Sequence, residues 1–291
     1  MKHHYSTISI LYNPNSTGKS DEKARALADD LRKAMPNVKL RLRATKHRGH
    51  AEAMTYRTAL TSRHPLVISV SGDGGYNEVV NGAMHAQRIG RTITVGLVPA
   101  GNANDHYANR HRGDFVKRVR EADEDQIDLI RLKARRLTRY GHSYIGLGLT
   151  PQASEKLNKS KLNLWQEIKI VTSVLLHLKS IKIIVDGQVR SYDSLIFSNV
   201  GRMSKVLRVP DHTDDDGKVE VSHLYNRNKL KLIASLVQAA LLGLAADDKV
   251  SEYKFRTTKQ TSVQIDGELI KIGADVDTLI SVVPRTLRSI V

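Results

Sequence analysis

Three short apolar runs, each stopped by a segment rich in Gly, Asn or Pro, constrain this chain more than any other feature. Ile8–Tyr12 stops at Asn13-Pro14, Leu66–Val70 at Ser71-Gly72-Asp73-Gly74-Gly75, and Ile93–Val98 at Pro99-Ala100-Gly101-Asn102. Helical stretches lie between them. One runs from an N-cap at Ser20, with Asp21 and Glu22 in its first turn, to about Met35; others cover Gly49–Leu60 and Tyr76–Gln87. Val38–Arg43 alternates like a strand, and Ile127–Leu132 is a further apolar run after a short helix. Strand and helix in alternation predict a parallel sheet covered by helices on both faces. In such sheets ligands bind beyond the carboxyl ends of the strands, where all three stopping segments fall.

After about residue 133 the pattern changes. Ser143–Leu149 reads as a strand and Leu162–Leu178 as one long helix carrying lysines. Ile181–Val185, Asp186-Gly187 and Val189–Asn199 read as a hairpin. Val219–Leu224, Tyr253–Thr257, Ser262–Ile265 and Leu269–Ile272 are further short strands. The expected architecture is therefore α/β in two domains. Residues 1–132 form an α/β domain, residues 133–277 a strand-rich one, and a strand within 278–291 returns to the first. A chain of 291 residues can bury sizeable cores without covalent staples. With no cysteine it has no disulfide, thiolate metal site or thiol nucleophile.

Forty-six Lys and Arg against 30 Asp and Glu give a formal charge of +16. Such a surface attracts nucleotides, nucleic acid or anionic lipid head groups, or it simply keeps the chain soluble. The most apolar run, Leu232–Ala246, is interrupted by Ser235, Gln238 and Gly243, and is shorter than the roughly 20 residues a membrane span needs. No signal-type apolar segment follows Met1, so a cytoplasmic protein is expected. Arg131, Lys133, Arg135, Arg136 and Arg139 form one basic stretch. Lys156, Lys159, Lys161 and Lys169 form another, beside Leu162, Leu164 and Trp165. These fit peripheral attachment at the inner face of a membrane, or a solvated helix face. Tyr and Phe are not interleaved with the basic runs, so no nucleic-acid partner is expected.

The segment Ser71 to Gly82 carries the chemistry. Glycines after a buried strand let the backbone approach a phosphate, and the helix that follows offers N–H groups and a favourable dipole. The motif G-x-x-x-x-G-K-[ST] is absent, because no glycine stands at Tyr12 or Asn13 to open it before Gly18-Lys19-Ser20. Ser71-Gly72-Asp73-Gly74-Gly75-Tyr76-Asn77-Glu78-Val79-Val80-Asn81-Gly82 resembles the G-G-D-G-T-x-x-E-V-x-N-G signature of the diacylglycerol kinase catalytic-domain family. Asn13-Pro14-Asn15-Ser16-Thr17-Gly18 resembles its N-P-x-S-G segment. Thr45 with Gly49-His50-Ala51 and Leu97–Asp105 resemble two further segments. Asp216-Gly217 with Val219 and Val221, and Asp266-Gly267-Glu268, resemble two more, in family order.

The resemblance implies an N-terminal domain like that of NAD kinase and phosphofructokinase, a C-terminal β-sandwich, and a lipid kinase that uses ATP and Mg²⁺. Carried over by position, Asn13, Pro14, Ser16, Thr45 and Asn102 contact the nucleotide. Ser71, Gly72, Asp73, Gly74, Gly75, Tyr76 and Asn77 wrap its phosphates. Glu268, Asp266 and Asp73 form the acidic centre, with Glu268 the first choice of base. Bacterial members hold a structural Mg²⁺ at an aspartate and two backbone carbonyls, which here are Asp216, Thr213 and Lys218. The implied acceptor is a lipid hydroxyl, diacylglycerol foremost, and a homodimer is possible. Gly75 and Asn102 replace two family threonines. They keep a non-catalytic nucleotide- or lipid-binding homologue open as an alternative, beside an NAD kinase-like enzyme. Taken alone, Asp266-Gly267-Glu268 reads as a solvent-facing turn.

Overall fold

A computed structural model describes residues 5–16, 18–151, 180–203, 207–209, 212–213, 215–225 and 246–291. The long helix expected over Leu162–Leu178, with its lysines, and nearly all of Leu232–Ala246 lie outside the described residues. The chain divides into two compact units, Met1–Leu129 with Pro284–Val291, and Ile130–Val283.

In the first unit the strands β1 (Thr7–Tyr12), β2 (Lys39–Ala44), β3 (Pro65–Ser71) and β4 (Thr94–Pro99) pair in the order β2-β1-β3-β4, all parallel. Every residue of β3 is buried, as a central strand covered on both faces must be. β2 lies at the edge with Lys39 and Arg43 exposed, a charged border that discourages pairing with another chain. Helices α1 (Ser20–Ala34), α2 (His50–Thr61), α3 (Asp73–Gln87), α4 (Asp105–Arg110) and α5 (Phe115–Glu121) connect the strands. In α1, Ala24, Leu27, Ala28 and Leu31 are buried at helical spacing and pack with Ile8, Ile10, Leu66 and Ile68. Ser20 is the first residue of α1 and not its cap. Its hydroxyl donates to the Asn13 carbonyl, while Lys19, in the left-handed region, holds the cap position.

A strand from the far end of the sequence completes this unit. Strand β18 (Asp277–Ile290) sets Arg288, Ser289 and Ile290 parallel to Thr94, Val95 and Gly96 of β4. Side chains and backbone tie it in. The hydroxyls of Tyr76 and Ser289 are 2.8 Å apart, the Gln87 amide donates to the Thr286 carbonyl at 2.9 Å, and Asp128 accepts the Arg285 N–H at 2.7 Å.

The second unit is a two-sheet β-sandwich. One sheet joins β5 (Asp125–Ala134) and β6 (Leu137–Gly141) to the start of β18, then to β15 (Glu252–Thr257), β8 (Ile181–Val185) and β9 (Gln188–Tyr192). The other sheet is antiparallel. It joins β14 (Asp248–Val250), β13 (Val219–Leu224), β10 (Ser194–Ser198), β7 (Tyr144–Gly148), β16 (Thr261–Ile265) and β17 (Glu268–Ile272) in that order. A short ribbon, β11 (Arg202–Met203) with β12 (Leu207–Arg208), stands apart. Both sheets contribute to one core, including Leu132, Ile183, Phe255 and Ile280 from the first and Leu147, Phe197, Val221 and Val263 from the second.

The segment Val189–Asn199, expected as one strand, is two strands in different sheets. The chain changes sheet at the buried Asp193, whose N–H donates to Leu224 O at 2.8 Å and whose carbonyl accepts from Leu149 N at 2.9 Å. Those two bonds replace the ladder bonds lost at the break.

Candidate active site

Parallel pairing brings the expected nucleotide segments to one edge of the first unit's sheet. Tyr12 is opposite both Ala44 and Val70, and Ser71 is opposite Pro99. Asn13, Thr45, Gly72 and Ala100 therefore each leave a strand at the same level. The Thr45 N–H donates to the Tyr12 carbonyl at 2.8 Å. The Ser16 hydroxyl and the Gly18 N–H (3.1 Å) both donate to the Ala100 carbonyl, so the Asn13–Gly18 turn is seated on the turn after β4. Asn13 and Pro14 are exposed, and Asn13 Oδ1 accepts the Asn15 N–H at 3.0 Å.

The glycine segment is not a loop. Helix α3 starts at Asp73, so Asp73, Gly74 and Gly75 form its first turn, with Gly72 as cap and no side chain capping it. The N–H groups of that turn lack helical acceptors and point out of the sheet edge, the arrangement that binds anions. Bare backbone is needed here for a second reason. A Cβ on Gly101 would lie 2.3 Å from Gly72 Cα, so the turns after β3 and β4 touch backbone to backbone. Asn104 holds the second turn closed; its Oδ1 accepts the Gly101 N–H and its Nδ2 donates to the Gly101 carbonyl, both at 2.9 Å. Asp73 ties α3 to α4 by accepting the His106 N–H at 3.1 Å.

Several expected contact residues take other places. Tyr76 is fully buried against the Ser289 hydroxyl and the His106 ring, 5.1 Å away between centroids. Asn77 is also buried, its Oδ1 accepting from the Asn81 amide at 3.0 Å. Their side chains build the unit, which leaves Ser71 to Gly75 at the sheet edge. Asn102 is exposed. Glu78, given no role by the sequence reading, accepts the N–H groups of Gly49 (2.6 Å) and Ala51 (3.0 Å) and so caps α2 from α3. The E-V-x-N-G continuation is thus packing between two helices.

In the second unit Asp266 is the first residue of the two-residue turn joining β16 to β17, and Glu268 follows that turn, paired with Ile265. Asp266 does not face solvent. It is 0% exposed, its Oδ1 accepts the N–H groups of Ser143 and Tyr144 (both 2.9 Å), and its Oδ2 accepts that of His142 (2.7 Å). His142 Nε2 lies 3.3 Å from the same carboxylate. The three amides at the entry to β7 carried no sequence signal, because backbone donors leave none. Glu268, one step beyond the locked turn, is half-buried as the first residue of β17. Asp73 belongs to the first unit and this pair to the second.

In the loop expected to hold a structural cation, Thr213, Asp216 and Lys218 are exposed. Asp216 Oδ1 accepts the Lys218 N–H at 2.9 Å. The ammonium of Lys249 stands 3.4 Å from the Thr213 hydroxyl and 3.4 Å from Glu220. Buried Glu220 also bonds His212 at 2.8 Å. Burial works to raise the pKa of Glu220, but the bond and charge of His212, with the Glu220 backbone N–H and Lys249, together outweigh it and hold the carboxyl below the usual range. Among the described residues, no three His, Asp or Glu side chains gather as a metal site.

The family model of the diacylglycerol kinase catalytic domain matches residues 7–132. The match spans the ends of β1, β2, β3 and β4. Solved structures share the fold over the whole length. A diacylglycerol kinase from Bacillus anthracis str. Sterne aligns at TM-score 0.70 and 18% identity, covering 100% of this chain and 98% of its own. A diacylglycerol kinase candidate from the same organism aligns at TM-score 0.71 and 18% identity, covering 99% and 98%. No curated protein matches the chain in sequence. Among the described residues, no helix is long and apolar enough to cross a membrane.

Proposed function

We propose that the chain is an ATP-dependent lipid kinase that phosphorylates a lipid hydroxyl, with diacylglycerol the acceptor and phosphatidic acid the product. One observation carries the reading: four of the segments that resemble the family, those after β1, β2, β3 and β4, emerge at a single sheet edge, where the N-terminus of α3 opens between two touching backbone turns. The N–H groups of Asp73 to Gly75 bind the nucleotide phosphates there. The acceptor oxygen bonds the γ-phosphorus as the bond from that phosphorus to the ADP oxygen breaks. The hydroxyl proton passes to Glu268. Asp266 acts as a positioning residue, because its carboxylate is spent on three backbone amides that fix the turn bearing Glu268. A Mg²⁺ ion carried with the nucleotide would offset phosphate charge, and Asp73, a hard oxygen donor at the end of α3, is the residue to hold it.

The non-catalytic alternative loses some of its motive in the glycine turn. A Cβ at Gly75 would lie 2.5 Å from the Ser71 hydroxyl. Ser71 thus fills the space of the threonine that is missing, and the turn keeps a hydroxyl.

The test is phosphate transfer from labelled ATP to a panel of diacylglycerol, phosphatidylglycerol, ceramide and sphingosine, with NAD as a separate arm. Transfer to diacylglycerol is expected. Transfer to NAD alone, or to nothing, defeats the reading. Glu268→Gln should lower turnover by roughly 10²–10⁴-fold with nucleotide binding unchanged. Wild-type turnover in that variant would remove Glu268 as the base.

A further inference from the structure

The basic stretch after β5 finds partners that lie far away in sequence. A cavity of about 680 Å³ opens on the outer face of the sandwich sheet that contains β5, β18, β15 and β8, wholly within the second unit. Its rim carries Lys133 and Arg135 from the end of β5, and Lys254 and Arg256 from β15. Strand register puts these groups on one face: Lys254 is opposite Leu279, and Arg256 is opposite both Asp277 and Ile184. Asp186 and Asp277 also line the cavity. Asp277 is taken by Arg256, which grips it through two bonds of 2.7 and 3.0 Å. Lys133, Arg135 and Lys254 then face Asp186 alone, and the cavity is positive. Lys254 also approaches Glu252, outside the cavity, at 3.7 Å. Between the cations the wall is apolar, formed by half-buried Ile184 and Leu279. None of Asp73, Asp266 and Glu268 lines it.

We infer that this cavity binds the head group of an anionic phospholipid. Lys and Arg at the rim meet the phosphate as charged donors. Ile184 and Leu279 suit the glycerol and the first methylenes below it. A site for a bare phosphate would need neither the apolar wall nor this volume, which is in the range of pockets for ligands of lipid head-group size. A polynucleotide site would carry exposed aromatic rings for stacking, and none lines this cavity beyond the buried Phe255.

The test measures partition of the full chain, without nucleotide, onto vesicles of phosphatidylcholine with and without phosphatidylglycerol. This keeps it independent of the kinase reading. Wild type should bind the anionic vesicles only. Lys133→Gln with Arg135→Gln should weaken that binding by roughly fivefold per charge, about 25-fold together. Both side chains are exposed, so the thermal melt should match wild type. Arg41→Gln with Arg43→Gln on β2 removes equal charge elsewhere and should cost far less. Equal losses from the two pairs would mean diffuse attraction and overturn the inference. So would a melt shift by inorganic phosphate that the Lys133/Arg135 variant abolishes while vesicles go unbound, or the same pattern with single-stranded RNA.

Discussion

Two hairpin turns in the second unit have the same sequence and the same backbone, yet different fates. Asp186-Gly187 joins β8 to β9 with φ of 51° and 75°, and Asp266-Gly267 joins β16 to β17 with φ of 46° and 90°. Both are the left-handed pair that two-residue hairpins favour, and both use the residues that tolerate it. Asp186 is exposed on the rim of a cavity. Asp266 is wholly buried on three amides. The turn type is written locally, in two letters. What the carboxylate does is written elsewhere, by the chain that passes beside it at His142 to Tyr144.

Substitution can break that contrast or sharpen it. Asp266→Ala should have the largest effect, since each buried N–H left without an acceptor costs about 1–3 kcal/mol. Denaturant unfolding should show a loss of at least ~3 kcal/mol, and a loss below ~1 kcal/mol would mean the amides find other partners. Gly187→Ala and Gly267→Ala should come next, each costing about 1–2 kcal/mol for a side chain in left-handed backbone. Equal losses in the two thermal melts would confirm that the turns share one geometry. Unequal losses would show that burial changes the cost of the turn itself. Asp186→Asn should do least, within about 0.5 kcal/mol, because an exposed turn residue has no buried partner to strand.

The same division between local and distant information explains how far the sequence can be read. The strands of the parallel sheet follow from apolar runs bounded by Gly, Asn and Pro, and both Asp-Gly turns follow from their residues. The strand switch at Asp193 does not, because the polar letters Arg190, Ser191, Asp193 and Ser194 fit one exposed strand as well as a break between two sheets. At the candidate site, the resemblance picks out Asp266 but not its partners. Its partners are backbone amides, which any residue supplies. Tyr76 and Asn77 lie inside the glycine-rich family signature and still point into the core, because a helix starting at Asp73 turns them away from the sheet edge. A helix expected only from Tyr76 misses that rotation. Glu78 was visible as a letter of the motif, while its role as the cap of α2 depends on a helix packing that periodicity alone does not reveal.

The strand that closes the first unit bears on how the protein is made. Residues 7–99 hold four strands that a ribosome delivers early, but β4 waits for Arg288 to Ile290, which follow the whole of the second unit. Until then Tyr76 lacks the Ser289 hydroxyl, Asp128 lacks the Arg285 N–H, and the buried Arg118 lacks the Val291 carbonyl it reaches at 3.0 Å. The nascent first unit therefore emerges with one flank of its sheet open. The sandwich can form inside that interval, so the two units are finished in the reverse of the order in which they are begun.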